Sequence, residues 1–241
     1  MRIGAGAISP FLFMEKNVCI VHFNTPELTR ATIRSVWKHT PDAKIMVFDN
    51  SDSLPFGQMN GVTVMNNTNG QLLDFTEFLS HYRHRRPSKN KWASAKHAKT
   101  VDYLFRLFPH GFVLMDSDIL IKRDISDLFD EDCLFVGKMM EGSENRDSRN
   151  PRLLPFLCWL NARMCLENGI RFFDGERSWK LHRGGPETWY DTGGSFLLDC
   201  LESGLPVRYV DIDDYMVHLY GGSYKEKDWR AWLDQYLELY E

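Results

Sequence analysis

"GFVLMDSDILIKRDISDLF", residues 111–129, sets a short apolar run directly against two acids one residue apart. Phe112 to Met115 is near-continuous in apolar side chains, the pattern of a strand buried on both faces. It ends at Asp116-Ser117-Asp118. In an extended chain, residues two apart share a face. Asp116 and Asp118 are therefore expected to aim together, with Ser117 opposite. Paired carboxylates repel unless a cation lies between them, and oxygen ligands select a hard ion such as Mg²⁺ or Mn²⁺. Asp-x-Asp alone is a common pattern; its place at the end of a buried strand is what makes a metal role worth pursuing.

Working outward, the chain begins as β-α-β. "NVCIVHF", residues 17–23, reads as a buried strand. Asn24-Thr25-Pro26 breaks it, with Pro26 suited to a first helical turn and Thr25 to its N-cap. Leu28, Ile33, Val36 and Trp37 continue a helix up to Thr40-Pro41-Asp42. "KIMVF", residues 44–48, is a second buried strand closing on the turn cluster from Asp49 to Ser53. Polar residues thus gather where each strand ends, and ligands of open α/β sheets bind at those ends. Further expectations are a strand over 62–65 and helices over 72–82 and 94–108. A strand over 133–138 follows, and a polar lid or linker over 141–152. Residues 153–167 read as helix-compatible, and a helix begins at 196–201. Strands are expected over 207–212 and 215–220, and an amphipathic terminal helix over 229–240.

Bulk properties bound the function. The 241 residues, with 43% hydrophobic and 26% charged content, suit one large globular domain, residues 16–241, behind a loose leader at 1–15. A net charge of −4 gives no general argument for nucleic acid. Residues 81–100 nevertheless carry seven Lys/Arg and three His with no acid, which suits an anionic ligand. Five cysteines without a CxxC pair fit a reducing compartment and argue against structural zinc. The apolar runs fall short of the roughly 20 residues of a membrane span. The expectation is a cytoplasmic protein, with peripheral attachment to a membrane left open.

Other phosphate and metal motifs fail on spacing. An EF-hand needs a further acid and a Gly where Ile119 and Leu120 stand. An aspartate-nucleophile phosphatase pattern is broken by Leu120. Neither GxxxxGK[ST] nor GxSxG occurs.

The β-α-β opening at 20–53, the mid-chain "LMDSDI" and the late "HLYGGS" together resemble the GT-A glycosyltransferases, which use nucleotide sugars. The likeness spans about residues 17–229. It implies an α/β fold: one Rossmann-like domain with a mixed, mostly parallel sheet flanked by helices. Asp116, Ser117 and Asp118 match the superfamily's metal-binding motif. His218, with Gly221 after it, is similar to the late His-x-x-Gly of glycogenin-like members, where the His is the third metal ligand. Lys225 falls one place later than their phosphate-binding Lys, and no Pro follows it. The implied metal is Mn²⁺ or Mg²⁺, held by Asp116, Asp118 and His218. The implied donor contacts are Phe23, Asn24, Thr25, Asp49, Lys96, His97, Asp116, Ser117 and Lys225. Asp49 is expected at the base or ribose, and Lys96 and His97 at the pyrophosphate or uracil. Asp191, before a Thr-Gly-Gly turn, is either the general base of an inverting enzyme or a donor-sugar contact of a retaining one. Trp159, Trp179, Trp189 and Tyr190 offer aromatic faces to an acceptor. The implied reaction moves a sugar from a UDP-sugar to a glycan, lipid or protein. A nucleotidyltransferase is the alternative from another class, and it lacks its glycine-rich phosphate loop here. A nucleotide-sugar-binding relative without activity is the other.

Overall fold

The structure is a computed structural model and describes residues 15–73, 75, 89–144, 150–172, 192–221 and 228–241. The strands are β1 Asn17–His22, β2 Lys44–Asp49, β3 Val62–Asn66, β4 Phe112–Asp116, β5 Ile119–Ile121, β6 Phe135–Gly137, β7 Met139–Met140, β8 Arg152–Leu153, β9 Leu157–Leu160, β10 Val207–Tyr209 and β11 Met216–His218. The α-helices are α1 Pro26–His39, α2 Lys89–Leu107, α3 Ala162–Glu167, α4 Gly194–Ser203 and α5 Trp229–Asp234. No described helix is long and apolar enough to cross a membrane.

Seven strands form one sheet in the order β10-β6-β9-β4-β1-β2-β3. β1 lies parallel to both β2 and β4, and β2 is parallel to β3. Only β9 runs antiparallel, wedged between β4 and β6. This is the mixed, mostly parallel α/β sheet expected. The side-chain alternation of a strand builds both faces at once. Cys19 and Val21 of β1 join Met46, Phe48 and Leu114 under Ala98, Val101, Leu104 and Phe105 of α2. Val18 and Ile20 join Ile45, Val47, Val113 and Met115 under Ile33 and Val36 of α1. A sheet covered on both faces explains why its strands are continuously apolar.

Three expectations need correction. Residues 153–167 are not one helix: β8 and β9 come first, and only Ala162–Glu167 is helical. All four residues of β9 are buried, and a helix there would leave Trp159, which is 0% exposed, without a home in the sheet. Periodicity cannot separate a short buried strand from a buried helical turn. The expected strand over 207–212 stops at Tyr209, and Ile212–Asp214 is a 3₁₀ turn. The terminal helix breaks after Asp234 and resumes as a 3₁₀ turn at Leu237–Leu239. Leu72, Leu73 and Phe75 at the start of the expected helix over 72–82 are not helical; the rest of that helix and most of the leader lie outside the described residues. The five cysteines are free, and four of them are buried. Burial raises the thiol of Cys200 to about 12, so it behaves as a small hydrophobe.

Gly193 shows how tightly the start of α4 is seated against β8, which pairs with β7 outside the main sheet. It takes a left-handed backbone, φ +87, just before α4. A Cβ there would press into the backbone carbonyl of Leu153, which cannot retreat without moving β8. Its own carbonyl accepts from the Leu153 N–H at 3.2 Å. Gly193→Ala is expected to destabilise the chain by about 3 kcal/mol, combining the backbone penalty with the clash; denaturant unfolding measures it.

Candidate metal centre and donor site

After β4 the chain does not run on extended. Ser117 and Asp118 form a turn, and β5 starts at Ile119. The two carboxylates therefore converge through a turn and not through strand alternation, which corrects the geometric reasoning behind the pair.

The turn is held from two sides. On one side, α1 supplies hydroxyls to a backbone that has left the main sheet. Thr32 Oγ1 donates to the Ser117 carbonyl (3.1 Å), and Ser35 Oγ accepts from the Ile121 N–H (3.0 Å). Thr40, past the helix end, accepts from Ile125 N–H and donates to Asp124. Buried backbone groups need partners, and these side chains provide them. On the other side, β11 pairs antiparallel with β5, setting His218 opposite Ile119. The Asp118 carbonyl accepts from the Leu219 N–H (3.0 Å), and its Oδ2 accepts from the Gly221 N–H (3.0 Å). Its Oδ1 meets His218 Nε2 at 3.1 Å.

Asp116, Asp118 and His218 thereby bring ligand atoms within 4.8 Å of one another, with both Asp118 and His218 side chains almost sealed from solvent. His218 Nδ1 is buried and has no hydrogen-bond partner among the described residues. Two carboxylates and one imidazole suit Mn²⁺ or Mg²⁺, whose remaining positions fall to phosphate oxygens and water. The donor set fits such an ion.

Two aromatic residues that sequence reasoning missed complete the centre. The Phe156 carbonyl accepts from the Asp116 N–H (2.9 Å), and its ring lies edge-on to His218 at 4.5 Å. Tyr220 stacks on His218 at 4.1 Å, with its ring half exposed and a left-handed backbone, φ +54. Arg152 stands over the Phe156 ring, 5.8 Å from its centroid. Nothing in the local spacing of these residues signals the role, because it depends on β9 entering the sheet beside β4.

The β1 side is a dense network of side-chain and backbone hydrogen bonds. Asp49 is 1% exposed, and its two oxygens accept from the Ser51 and Phe56 N–H groups. It builds the loop after β2. Asn24 Oδ1 accepts from the N–H groups of Asp52, Ser53 and Leu54, and its Nδ2 donates to Asp52. It too is spent on that loop, in a left-handed conformation that Asn tolerates. Thr25 makes no side-chain cap; its hydroxyl turns to the Phe23 carbonyl. Ser117 is buried, with its carbonyl taken by Thr32. Lys96 does stand at this edge, its ammonium 5.7 Å from the Phe23 ring centroid and 5.6 Å from that of Phe75. Burial lowers its basicity, opposed by Asp52. His97 points to the metal centre, 3.2 Å from Asp116. Trp159, expected to offer a face to an acceptor, is fully buried core. Asp191, Lys225, Trp179, Trp189 and Tyr190 lie outside the described residues.

No protein-family model matches the chain, and a search of curated proteins finds no match. Similar solved structures include the galactosyltransferase LgtC in complex with donor and acceptor sugar analogues (10% identity, TM-score 0.44, 81% of this chain and 73% of that one). Another is the bifunctional glycosyltransferase WbbM without ligand (13% identity, TM-score 0.48, 86% and 40%). A third is the mannosyltransferase PcManGT from Pyrobaculum calidifontis with GDP-Man and Mn²⁺ (11% identity, TM-score 0.47, 90% and 59%). The chain spans less than two thirds of the last two. At these scores the likeness lends no weight by itself, and the functional reading rests on the chain's own strands and side chains.

Under the β1 edge, His22 is fully buried, its Nδ1 2.7 Å from Thr29 Oγ1 and its Nε2 4.0 Å from Asp49 Oδ1. Burial holds its basicity below the ordinary histidine value, only partly offset by Asp49. The unfolded chain takes up this proton as pH falls through about 6.5, while the folded chain resists. The associated stability is complete above that pH and is lost progressively below it. The melting temperature is expected to drop between about pH 7.5 and about pH 5.5, and His22→Asn is expected to shrink that drop; thermal melts of both proteins check it.

Proposed function

We propose that the chain is a metal-dependent glycosyltransferase that moves a sugar from a nucleoside-diphosphate sugar, a UDP-sugar in the first instance, to a glycan, lipid or protein acceptor. The observation that carries this reading is the meeting of Asp116, Asp118 and His218, drawn from positions about a hundred residues apart to one end of a mostly parallel sheet. Ligands of open α/β sheets bind beyond the carboxyl ends of the strands, and β4 delivers Asp116 to that edge.

Asp116, Asp118 and His218 hold a divalent cation, Mn²⁺ or Mg²⁺. When bound, the cation offsets the negative charge that builds on a departing diphosphate. Charge stabilisation aimed at the transition state is usually the largest catalytic contribution. Phe156 and Tyr220 pin the His218 ring, so its rotamer is set before an ion arrives. Lys96 adds a positive charge at the β1 edge, lined by Phe23 and Phe75, where a phosphate or base meets it. Asp191 serves as general base or donor-sugar contact, and Lys225 as a phosphate contact. The cysteines, all free, fit work in the reducing cytoplasm, either in solution or attached peripherally to a membrane.

Calorimetry with UDP tests the metal dependence: binding is expected with Mn²⁺ and is expected to weaken at least tenfold with chelator. Equal affinity in both removes the ion from the reading. Asp118→Asn keeps an acceptor for the Gly221 N–H but deletes the charge. It is expected to lower sugar transfer, assayed across a panel of nucleotide sugars, by roughly a hundredfold or more, the loss expected when an interaction made in the transition state is removed. Its melting temperature in chelator is expected to stay close to that of the unaltered chain.

A further inference from the structure

We propose that His97 is the positioning residue of the metal-binding carboxylate Asp116, and that it acts on the cation through Asp116 and not on the nucleotide. The proposal rests on the metal-centre reading above.

The placement is specific. α2 crosses the sheet with Thr100 facing the strand ends. Asn50 Nδ2 donates to Thr100 Oγ1 at 2.9 Å, and Asn67 Nδ2 donates to Asn50 Oδ1 at 2.8 Å. All three residues are buried. This chain of side chains ties the ends of β2 and β3 to α2 and fixes the register of the helix. His97 lies three residues before Thr100, on the same helix face. Its Nε2 reaches Asp116 Oδ1 at 3.2 Å, with both side chains largely covered.

The contact is close yet unfinished. His97 Nδ1 and Nε2 are both sealed from solvent, and among the described residues neither makes a directed hydrogen bond. A buried polar group in that condition costs about 1–3 kcal/mol, so folding alone gives no reason for a histidine there. Asp116 is half of the reason: a carboxylate that turns one oxygen toward a cation leaves the other to a neighbouring donor. Outer-shell donors of this kind orient metal ligands. The two acids of the centre each face one imidazole, but the imidazoles differ. His218 belongs to the cluster of mutually close ligand atoms, and His97 does not. His218 is thus placed as a ligand and His97 as a brace.

The test uses the full chain and Mn²⁺ alone, followed by the electron paramagnetic resonance of the free ion, with no nucleotide present. His97→Ala is expected to weaken Mn²⁺ binding by about 10–100-fold. His97→Gln, whose amide can donate from the position of Nε2, is expected to recover most of that loss. Affinity for UDP in chelator is expected to be the same for all three proteins. Melting in chelator reports folding; should His97→Ala fail to fold, His97→Gln and His97→Leu carry the comparison. Mn²⁺ binding unchanged by the loss of the ring overturns the proposal. So does a Gln variant as weak as the Ala or Leu variant, the result for a directly ligating imidazole. A fall in chelator-insensitive UDP affinity would instead make His97 a nucleotide contact. If the unaltered chain does not bind Mn²⁺, the metal centre itself falls and this role with it. If it binds and the variants match it, only the role of His97 falls.

Discussion

The structure depends on one residue, Asp118, holding two distant segments together. Its carbonyl fastens the backbone at Leu219, one carboxylate oxygen fastens Gly221, and the other meets His218. The β5–β11 pair is only three residues long on each strand, too short to be secure without such ties. The carboxylate therefore does two jobs. It is half of the acidic pair, and it is the anchor that brings the C-terminal third of the chain to the mid-chain turn. Removing its charge and removing its acceptor atoms are separable perturbations, and the centre needs both.

The second constraint is the polar face of α1. Thr32 and Ser35 are buried within a helix that also supplies Ile33 and Val36 to the core. A purely apolar face would pack equally well against the sheet but would leave the carbonyl of Ser117 and the N–H of Ile121 unpaired. The helix thus fixes the acidic turn through hydroxyls, each about 3 Å from its backbone partner. Position of the turn, and hence of Asp116, is set by α1 on one side and by Phe156 beside it.

Much of this was legible in the sequence where a local signal sufficed. The strands at residues 17–22, 44–49 and 112–116 are short, apolar and bounded by turn residues, and they stand where periodicity places them. Pro26 opens α1 as its fixed φ requires. The meeting of Asp116, Asp118 and His218 followed from resemblance, since spacing alone does not bring residue 218 to residue 118. What was illegible is what depends on strand order. β9 looked helical because its burial on both faces erases alternation. Turn-forming and ligand-binding side chains are the same residue types, and the side-chain hydrogen bonds of Asp49 and Asn24 to the 51–56 segment, with Asn24 Nδ2 reaching the Asp52 carboxylate, show that both build that loop. Phe156 and Tyr220 carried no signal, as aromatic residues in apolar surroundings usually mean core.

The antiparallel insertion of β9 carries a consequence for how the chain is made. β6 touches only β9 and β10 in the sheet, and both follow it in the chain. A nascent polypeptide emerging from the ribosome can join β1, β2, β3 and β4, since each finds at least one neighbour within that group, although the outer edge of β4 also waits for β9. β6 must wait until Leu157–Leu160 have emerged. Between those moments a fully apolar strand is left without a seat, an interval in which a chaperone or slow translation has the most to protect.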